Sequence, residues 1–208
     1  MSVRGLEPGH RAALVINECQ NGMVNAEASS NTGLAGQAAE RAIVPAIARL
    51  AAAFRTAGAP VAHATIVLRP DGAGTTANCL LLGSLKKKGE VVEGRKEAEI
   101  HPDLTPHPED VVVQRVHGLT PFHNSELESI LRERGVDTVV LAGVSTNIGI
   151  PGAALEAVNR GFTVIVAEDC TAGAWPEAHE FQVTHTLPLL ATVTSSEEIA
   201  RSLAATPV

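Results

Sequence analysis

Six short apolar runs recur along the chain, and none of them alternates cleanly between apolar and polar residues. A strand that is apolar on both faces needs cover on both faces, which a parallel sheet between two helical layers provides. These runs therefore restrict the fold more than any other feature of the sequence. They occupy residues 12–17, 60–68, 110–114, 137–142, 162–167 and 190–194.

Segments with helical character separate these runs. In residues 36–57, a single apolar stripe contains Ile43, Ile47, Leu50 and Phe54, and Gly58 ends the segment. Further helices are predicted at residues 125–134, 151–160, 177–187 and 196–203. Alternating strands and helices predict an α/β fold, namely a three-layer α/β/α sandwich with a mostly parallel, six-stranded, Rossmann-like sheet. We expect a single domain over residues 1–208.

The charge and the aromatic content argue against several classes of partner. With 16 Lys and Arg against 23 Asp and Glu, the net charge is −7, which is unsuited to binding a phosphate backbone. Aromatic residues make up only 2% of the chain, so platforms for base stacking are scarce. No apolar run approaches the ~20 residues of a membrane span, and no apolar signal segment is visible. We therefore expect a cytoplasmic protein with a small-molecule substrate and no nucleic-acid or membrane partner.

The cysteines and histidines form no pattern typical of a metal site. Cys19, Cys79 and Cys170 are scattered, and we expect Cys79 and Cys170 to be small buried residues. The eight histidines include neither an HxH nor an HExxH pair. The turn at residues 143–149 matches neither a GxGxxG nor a Walker A loop. The sequence therefore predicts no metal and no cofactor.

Ligands of an open parallel sheet bind beyond the carboxyl ends of its strands. Glu18 follows the first run, and Arg115 and His117 follow the third. A partly desolvated carboxylate at Glu18 could donate or accept a proton, although it could also cap a turn or form a structural ion pair. Arg115 can orient a carboxylate or a substrate carbonyl but cannot exchange protons. His117 can exchange protons, unless it is simply a hydrogen-bonded turn histidine.

Further candidates for substrate binding follow other strands. Arg69 follows the second run, and Phe122 is either a pocket wall or a core residue. The segment LAGVSTNIGIPG runs from a strand through a glycine-containing turn into a helix, and it carries Ser145, Asn147 and Ile148. Backbone N–H groups at such a helix start can bind an anion or a developing oxyanion.

Three motifs, in this order, resemble the isochorismatase-like hydrolase superfamily, which includes isochorismatases, nicotinamidases and N-carbamoylsarcosine amidases. They are ALVINECQNG, VVQRVHGLTPFHNSELESILRERGVDTVVLAGVSTNIGI and GFTVIVAEDCTAG. The resemblance extends from about Ala12 to about Thr194. Many members of the superfamily are cysteine hydrolases with an Asp, Lys and Cys triad. The matching positions here are Glu18, Arg115 and Gly149, so the cysteine nucleophile is absent.

The resemblance implies a hydrolase that works without a thiolate, because a glycine cannot form an acyl-enzyme. Isochorismatases proper also have Gly at this position and protonate a vinyl ether with a carboxylic acid. We therefore expect Glu18 to act as general acid or base in vinyl-ether-type or water-mediated hydrolysis of a small polar metabolite. The segment VSTNI lacks the aromatic and histidine expected for isochorismate itself, and the nicotinamidase-type metal loop has no match at residues 69–74.

Two alternatives remain open at this point. The chain could be a catalytically inactive ligand-binding or regulatory member of the fold, or it could use a displaced nucleophile such as Cys19 or Ser145. The resemblance also implies a cis peptide between Val144 and Ser145, with Asn147, Ile148 and Gly149 lining an oxyanion-like cradle.

The long irregular region at residues 69–109 is predicted to be a lid or an oligomer contact. By analogy with the family, we expect a homo-oligomer, a dimer or a tetramer, in which residues 75–109 could close a neighbour's site.

Overall fold

The computed structural model describes residues 3–205 and contains one parallel β-sheet. Its order is β3-β2-β1-β4-β5-β6, and every neighbouring pair of strands is parallel. This arrangement confirms the predicted α/β fold and corresponds to the Rossmann strand order. The strands are β1 (Ala12–Asn17), β2 (Val61–Ile66), β3 (Val111–Arg115), β4 (Thr138–Val144), β5 (Thr163–Ala172) and β6 (Thr192–Thr194).

Helices cover both faces of the sheet. They are α1 (Asn21–Val24), α2 (Thr32–Glu40), α3 (Ile43–Thr56), α4 (Leu80–Lys88), α5 (Leu127–Glu133), α6 (Gly149–Asn159), α7 (Pro176–Phe181) and α8 (Ser196–Ala205). Alternate residues of a strand point to opposite faces, so Leu14 packs in one apolar core with α2, α3 and α8. Its neighbour Val15 packs in a second core with α5 and α6. The six apolar runs are continuous because both faces are buried.

Two predicted helices are interrupted. The segment 36–57 is not one helix but α2 followed by α3, because Ala42 lies between them in the left-handed region with φ +51°. The apolar stripe from Ile43 to Phe54 is nevertheless buried as predicted. The predicted helix 177–187 becomes α7, a π-helical turn at Gln182–Thr186 and a 3₁₀ turn at Leu187–Leu189.

The region 69–109 is more ordered than its sequence suggested. It contains α4 and two 3₁₀ turns, Lys96–Ala98 and Pro102–Leu104. The buried Gln20, which lies shortly after β1, connects to this region. Its Nε2 donates hydrogen bonds to the carbonyl oxygens of Ile66 at 2.9 Å and Ala98 at 2.7 Å. Within the described residues, no helix has the length and apolarity that a membrane crossing requires.

Candidate active site

The candidate site lies where the strand order reverses, between the carboxyl ends of β1 and β4. A crevice forms there in open α/β sheets because the chain leaves the two strands towards opposite faces. The cavity at this point has a volume of ≈ 260 Å³. Five residues singled out from the sequence line it: Glu18, Ser145, Asn147, Ile148 and Gly149. The remaining wall is mainly apolar, with side chains from α1, α2 and α4.

Glu18 is held in place by its backbone and by Arg115. Its φ is +52°, which is costly for a residue other than glycine, and its N–H donates to the carbonyl oxygen of Ala64 at 2.8 Å. Its Oε1 accepts a hydrogen bond from Nη2 of Arg115. The Arg115 side chain is 2% exposed and does not line the cavity, whereas Glu18 is 17% exposed and does. Of the two roles suggested for Arg115, the geometry therefore favours orienting Glu18 over contacting the substrate.

The turn after β4 lines the cavity and contains two backbone N–H groups that have no acceptor among the described residues. The Val144–Ser145 peptide is cis, as the resemblance implied. The carbonyl oxygen of Ser145 accepts hydrogen bonds from the N–H groups of Ile148 at 3.2 Å and Ile150 at 3.0 Å. Within the described residues, the N–H groups of Asn147 and Gly149 have no hydrogen-bond acceptor. Asn147, Ile148 and Gly149 all line the cavity, and the N–H groups left for the expected cradle are those of Asn147 and Gly149, because Ser145 accepts from the N–H of Ile148.

Gly149 begins helix α6 at a point where a side chain has little room. A Cβ built on it would lie 3.0 Å from Nδ2 of Asn17 and 3.1 Å from the carbonyl oxygen of Val144. The amide of Asn17 is fixed there because its Nδ2 donates to that same carbonyl at 2.5 Å. Asn17 lies in the strand-end stretch where the sequence places the site, although the sequence assigns it no specific role.

Three predicted substrate-binding residues lie outside this cavity. Arg69 is exposed and pairs with Asp71 at 2.7 Å, away from the cavity wall, so its part in substrate binding stays a prediction. Phe122 is buried and packs on Phe162, with ring centroids 6.0 Å apart, so it is a core residue. His117 lines an adjacent cavity of ≈ 380 Å³.

The adjacent cavity is separated from the first by a short chain segment. Leu82, Gly118 and Leu119 line both cavities. The ring of His117 makes an edge-to-face contact with His123, with centroids 5.6 Å apart, and its Nε2 lies 3.2 Å from the hydroxyl of Thr76. His117 is thus a neighbour of the candidate site, with no direct part in its wall.

The cysteines differ from one another in exposure. Cys19 is buried, and burial raises the pKa of its thiol far above the usual range. It does not line the cavity, which argues against Cys19 as a displaced nucleophile. Cys79 is exposed, so the expectation that it is buried is wrong. Among residues 3–205, no three His, Cys, Asp or Glu side chains are grouped so as to hold a metal ion.

Sequence comparison agrees with this geometry. A family model described as the isochorismatase domain matches residues 12–198. The chain belongs to the isochorismatase family. Its relatives include the isochorismatase family protein YecD of Escherichia coli O157:H7, which is 32% identical over 200 residues, covering 92% of this chain and 95% of YecD. The ureidoacrylate amidohydrolase RutB of Pseudomonas syringae pv. syringae is 27% identical over 188 residues, which cover 83% of this chain and 74% of RutB.

Solved structures of the isochorismatase family superpose over nearly the whole chain. The isochorismatase family protein of Desulfovibrio vulgaris matches with a TM-score of 0.80 and 27% sequence identity, covering 94% of this chain and 100% of that one. The family assignment and the sheet order therefore support one another, and this chain is an isochorismatase-family hydrolase.

Proposed function

We propose that this isochorismatase-family chain hydrolyses the carbonyl C–N bond of a small amide by direct attack of water. The observation that supports this most is the pair of unpartnered N–H groups at Asn147 and Gly149, in the wall of the same cavity as Glu18. Two such donors suit the oxyanion that develops when a carbonyl is attacked. Protonation of a vinyl ether develops no such oxyanion, so we favour carbonyl chemistry over the vinyl-ether reaction.

Glu18 is proposed as the general base. Arg115 can only donate hydrogen bonds, so it holds Oε1 as an acceptor and leaves Oε2 to a molecule in the cavity. Oε2 takes a proton from water as the water oxygen attacks the carbonyl carbon, and the carbonyl oxygen becomes an oxyanion held by the two N–H groups. The carbonyl then re-forms as the C–N bond breaks, and Glu18 returns the proton to the leaving nitrogen. No covalent enzyme intermediate is needed.

The size of the cavity and the relatives support an amide of few atoms. A volume of ≈ 260 Å³ lies below the range of about 300–1,000 Å³ typical of sites for drug-sized ligands. RutB is named as an amidohydrolase. We therefore propose a small amide or ureido compound as the substrate class.

The test is a mass-spectrometric turnover assay on small amides, ureido acids, carbamates and vinyl ethers. Wild type is compared with Glu18→Gln and with Glu133→Gln, a matched change at an exposed carboxylate on α5. We expect an amide to be consumed by wild type and Glu133→Gln and not by Glu18→Gln. Consumption of a vinyl ether alone would mean that Glu18 acts as a general acid and not as a general base. Equal turnover in Glu18→Gln would exclude Glu18 from the chemistry.

A second candidate is a ligand-binding member without turnover, which the crowding around Gly149 favours because a nucleophilic side chain there would have to displace Asn17 or the Val144 carbonyl. In that case a compound of the same panel raises the melting temperature without being consumed. Any saturable turnover that Glu18→Gln removes would exclude this candidate.

Several expectations remain predictions: a single domain, a cytoplasmic location, the absence of a cofactor, and a dimer or tetramer. Size-exclusion chromatography with light scattering tests the oligomeric state, and a monomer would contradict that expectation.

A further inference from the structure

A buried chain of polar side chains fastens the turn after β4 from outside the cavity. Thr146 is fully buried, and its hydroxyl oxygen lies 3.1 Å from Nδ1 of His179. On the other side of that ring, Nε2 lies 3.3 Å from Oε1 of Glu168. The same carboxylate oxygen accepts a hydrogen bond from Nη2 of Arg41 at 2.5 Å. Three hydrogen bonds in series, through His179 and Glu168, therefore connect Thr146 to the partly exposed Arg41.

Donor and acceptor chemistry fixes the direction of these hydrogen bonds. Arg41 only donates, and the Glu168 carboxylate accepts, so Nε2 of His179 must carry a proton to bond Glu168. In a neutral imidazole, Nδ1 is then an acceptor, and the Thr146 hydroxyl donates to it. Burial, followed by the positive charge of Arg41, lowers the pKa of His179 despite the opposing effect of Glu168. A neutral ring is consistent with this direction.

The backbone around Thr146 packs closely against the end of β5 and the residues that follow it. Its N–H donates to the carbonyl oxygen of Ala172 at 2.9 Å, at the end of β5. A Cβ on Gly173 would lie 2.5 Å from the Thr146 hydroxyl and 2.7 Å from Oδ1 of Asn147. That Oδ1 accepts a hydrogen bond from the N–H of Ala174 at 2.6 Å. The turn thus sits directly on the end of β5, and the hydrogen bond to His179 on α7 fixes it from a second element.

We infer that His179 is a positioning residue, which accepts a hydrogen bond from the Thr146 hydroxyl at Nδ1 and so orients the turn that contains the N–H groups of Asn147 and Gly149. This inference deepens the proposed function and rests on it for its catalytic consequence. The charged groups facing His179 are Glu168 on β5, Arg41 after α2 and Glu180 on its own helix. Protonation of His179 turns Nδ1 into a donor and removes the acceptor of the Thr146 hydroxyl.

The first test is NMR of the ¹⁵N-labelled full chain, which needs no substrate. Long-range ¹H–¹⁵N spectra report which imidazole nitrogen carries the proton. At pH 7.5 we expect His179 to be the Nε2–H tautomer. On acidification, the amide resonances of Asn147 and Gly149 should shift with the same midpoint as the His179 ring. Two results would overturn the inference: a proton on Nδ1 of His179 at pH 7.5, or amide shifts of Asn147 and Gly149 whose pH midpoint differs from that of the ring.

Matched variants separate the hydrogen bond from simple packing. Thr146→Val keeps the shape of the side chain and removes its hydroxyl. The amide resonances of Asn147 and Gly149 should therefore shift at pH 7.5, and their pH dependence should no longer share its midpoint with the His179 ring. Thr146→Ser should restore both properties, and His185→Gln, a change at an exposed histidine, should alter neither. If Thr146→Val fails to fold, His179→Asn serves instead, because its amide oxygen can accept near the place of Nδ1 without titrating. It should retain the amide positions and abolish their pH dependence.

Turnover provides the catalytic readout. On the substrate found by the panel, Thr146→Val should lower kcat by about tenfold or more with little change in KM, and Thr146→Ser should rescue it. If the NMR results hold and nothing is turned over, the proposed function fails while the positioning of the turn stands. If turnover depends on Glu18 and is unaffected in Thr146→Val, the positioning role is wrong and the proposed function survives.

Discussion

Glu18 and Arg115 are joined by a hydrogen bond across a strand that lies between them. Glu18 follows β1 and Arg115 ends β3, and in the sheet these strands flank β2. The guanidinium is 2% exposed, and its Nε and Nη1 have no hydrogen-bond partner among the described residues. Glu18 is therefore the carboxylate that compensates a buried charge, in addition to facing the cavity.

Removing the Glu18 carboxylate should accordingly destabilise the fold. We expect Glu18→Ala to cost about 3–5 kcal/mol, because it leaves the Arg115 charge buried without compensation. Glu18→Gln keeps an acceptor for Nη2 and should cost clearly less. Urea unfolding of both variants and wild type measures this difference. Equal losses for Ala and Gln would show that the hydrogen bond at Oε1 contributes nothing.

A cysteine placed at Gly149, the position that the motif resemblance matches to the cysteine of the cysteine hydrolases, should not produce cysteine chemistry. In Gly149→Cys the new Cβ meets the amide of Asn17 at 3.0 Å, so we expect overpacking to cost about 1–3 kcal/mol. Gly149→Ala is the matched control and should show a similar loss. Combining Gly149→Cys with Asn17→Ala removes the obstructing amide and should recover part of the stability. Alkylation-sensitive turnover in the single Gly149→Cys variant, without loss of stability, would contradict this account.

Thiol reagents should modify a single native cysteine. Burial raises the pKa of Cys19 far above the usual range, and burial followed by the charge of Asp169 raises the pKa of Cys170 to about 12. Cys79 is exposed. We expect one equivalent of reagent to react, at Cys79, and none in Cys79→Ser. Peptide mapping by mass spectrometry identifies the modified cysteine. Rapid modification of Cys19 in the native protein would contradict its burial and would again make it a candidate nucleophile.

The sequence predicts most of what local patterns encode. The run at residues 12–17 coincides with β1. A strand that is buried on both faces must be apolar along its whole length, so the run is visible in the sequence. Strand ends and family motifs point to Glu18 and Gly149, and both residues line the same cavity. The helix α4 was missed because Leu82 is its one buried residue, so its order comes from packing over the cavity and not from an apolar stripe.

The limits of sequence-based prediction at the site have a similar cause. Arg69 follows β2, but a position after a strand does not fix where the chain goes next, and Asp71 holds Arg69 at the surface. The sequence assigns Asn17 no role, because its closeness to Gly149 arises only when β1 pairs with β4. Contacts between distant segments require the tertiary structure.

The break between α2 and α3 offers a test of backbone strain. Ala42 has φ +51°, a conformation that glycine adopts at little cost. We expect Ala42→Gly to stabilise the protein by about 1 kcal/mol. The matched change Ala52→Gly, at an exposed position within α3, should destabilise it by about 1 kcal/mol. Denaturant unfolding should show these opposite signs, and a loss of stability in both variants would mean that no strain is relieved at Ala42.

Stability should fall as the solution becomes mildly acidic, because of histidines that are buried in neutral form. His63 on β2 is 2% exposed, its Nδ1 has no partner among the described residues, and its Nε2 lies 3.4 Å from Oδ2 of Asp110. Burial lowers its pKa from 6.5, and the opposing effect of Asp110 does not offset this. The pKa of His179 is also lowered by burial.

The sign of the effect follows from proton binding. As the pH falls through about 6.5, the unfolded chain binds a proton at each of these histidines, while the folded chain binds it only at lower pH. Stability is therefore fully present above the unfolded pKa, and His63 contributes a loss of up to about 1.4 kcal/mol per pH unit below it. Urea unfolding at pH 7.5, 6.5 and 5.5 should show a smaller slope in His63→Gln than in wild type. His185→Gln, at an exposed histidine, should keep the wild-type slope. Equal slopes in all three proteins would mean that folding does not lower the pKa of His63.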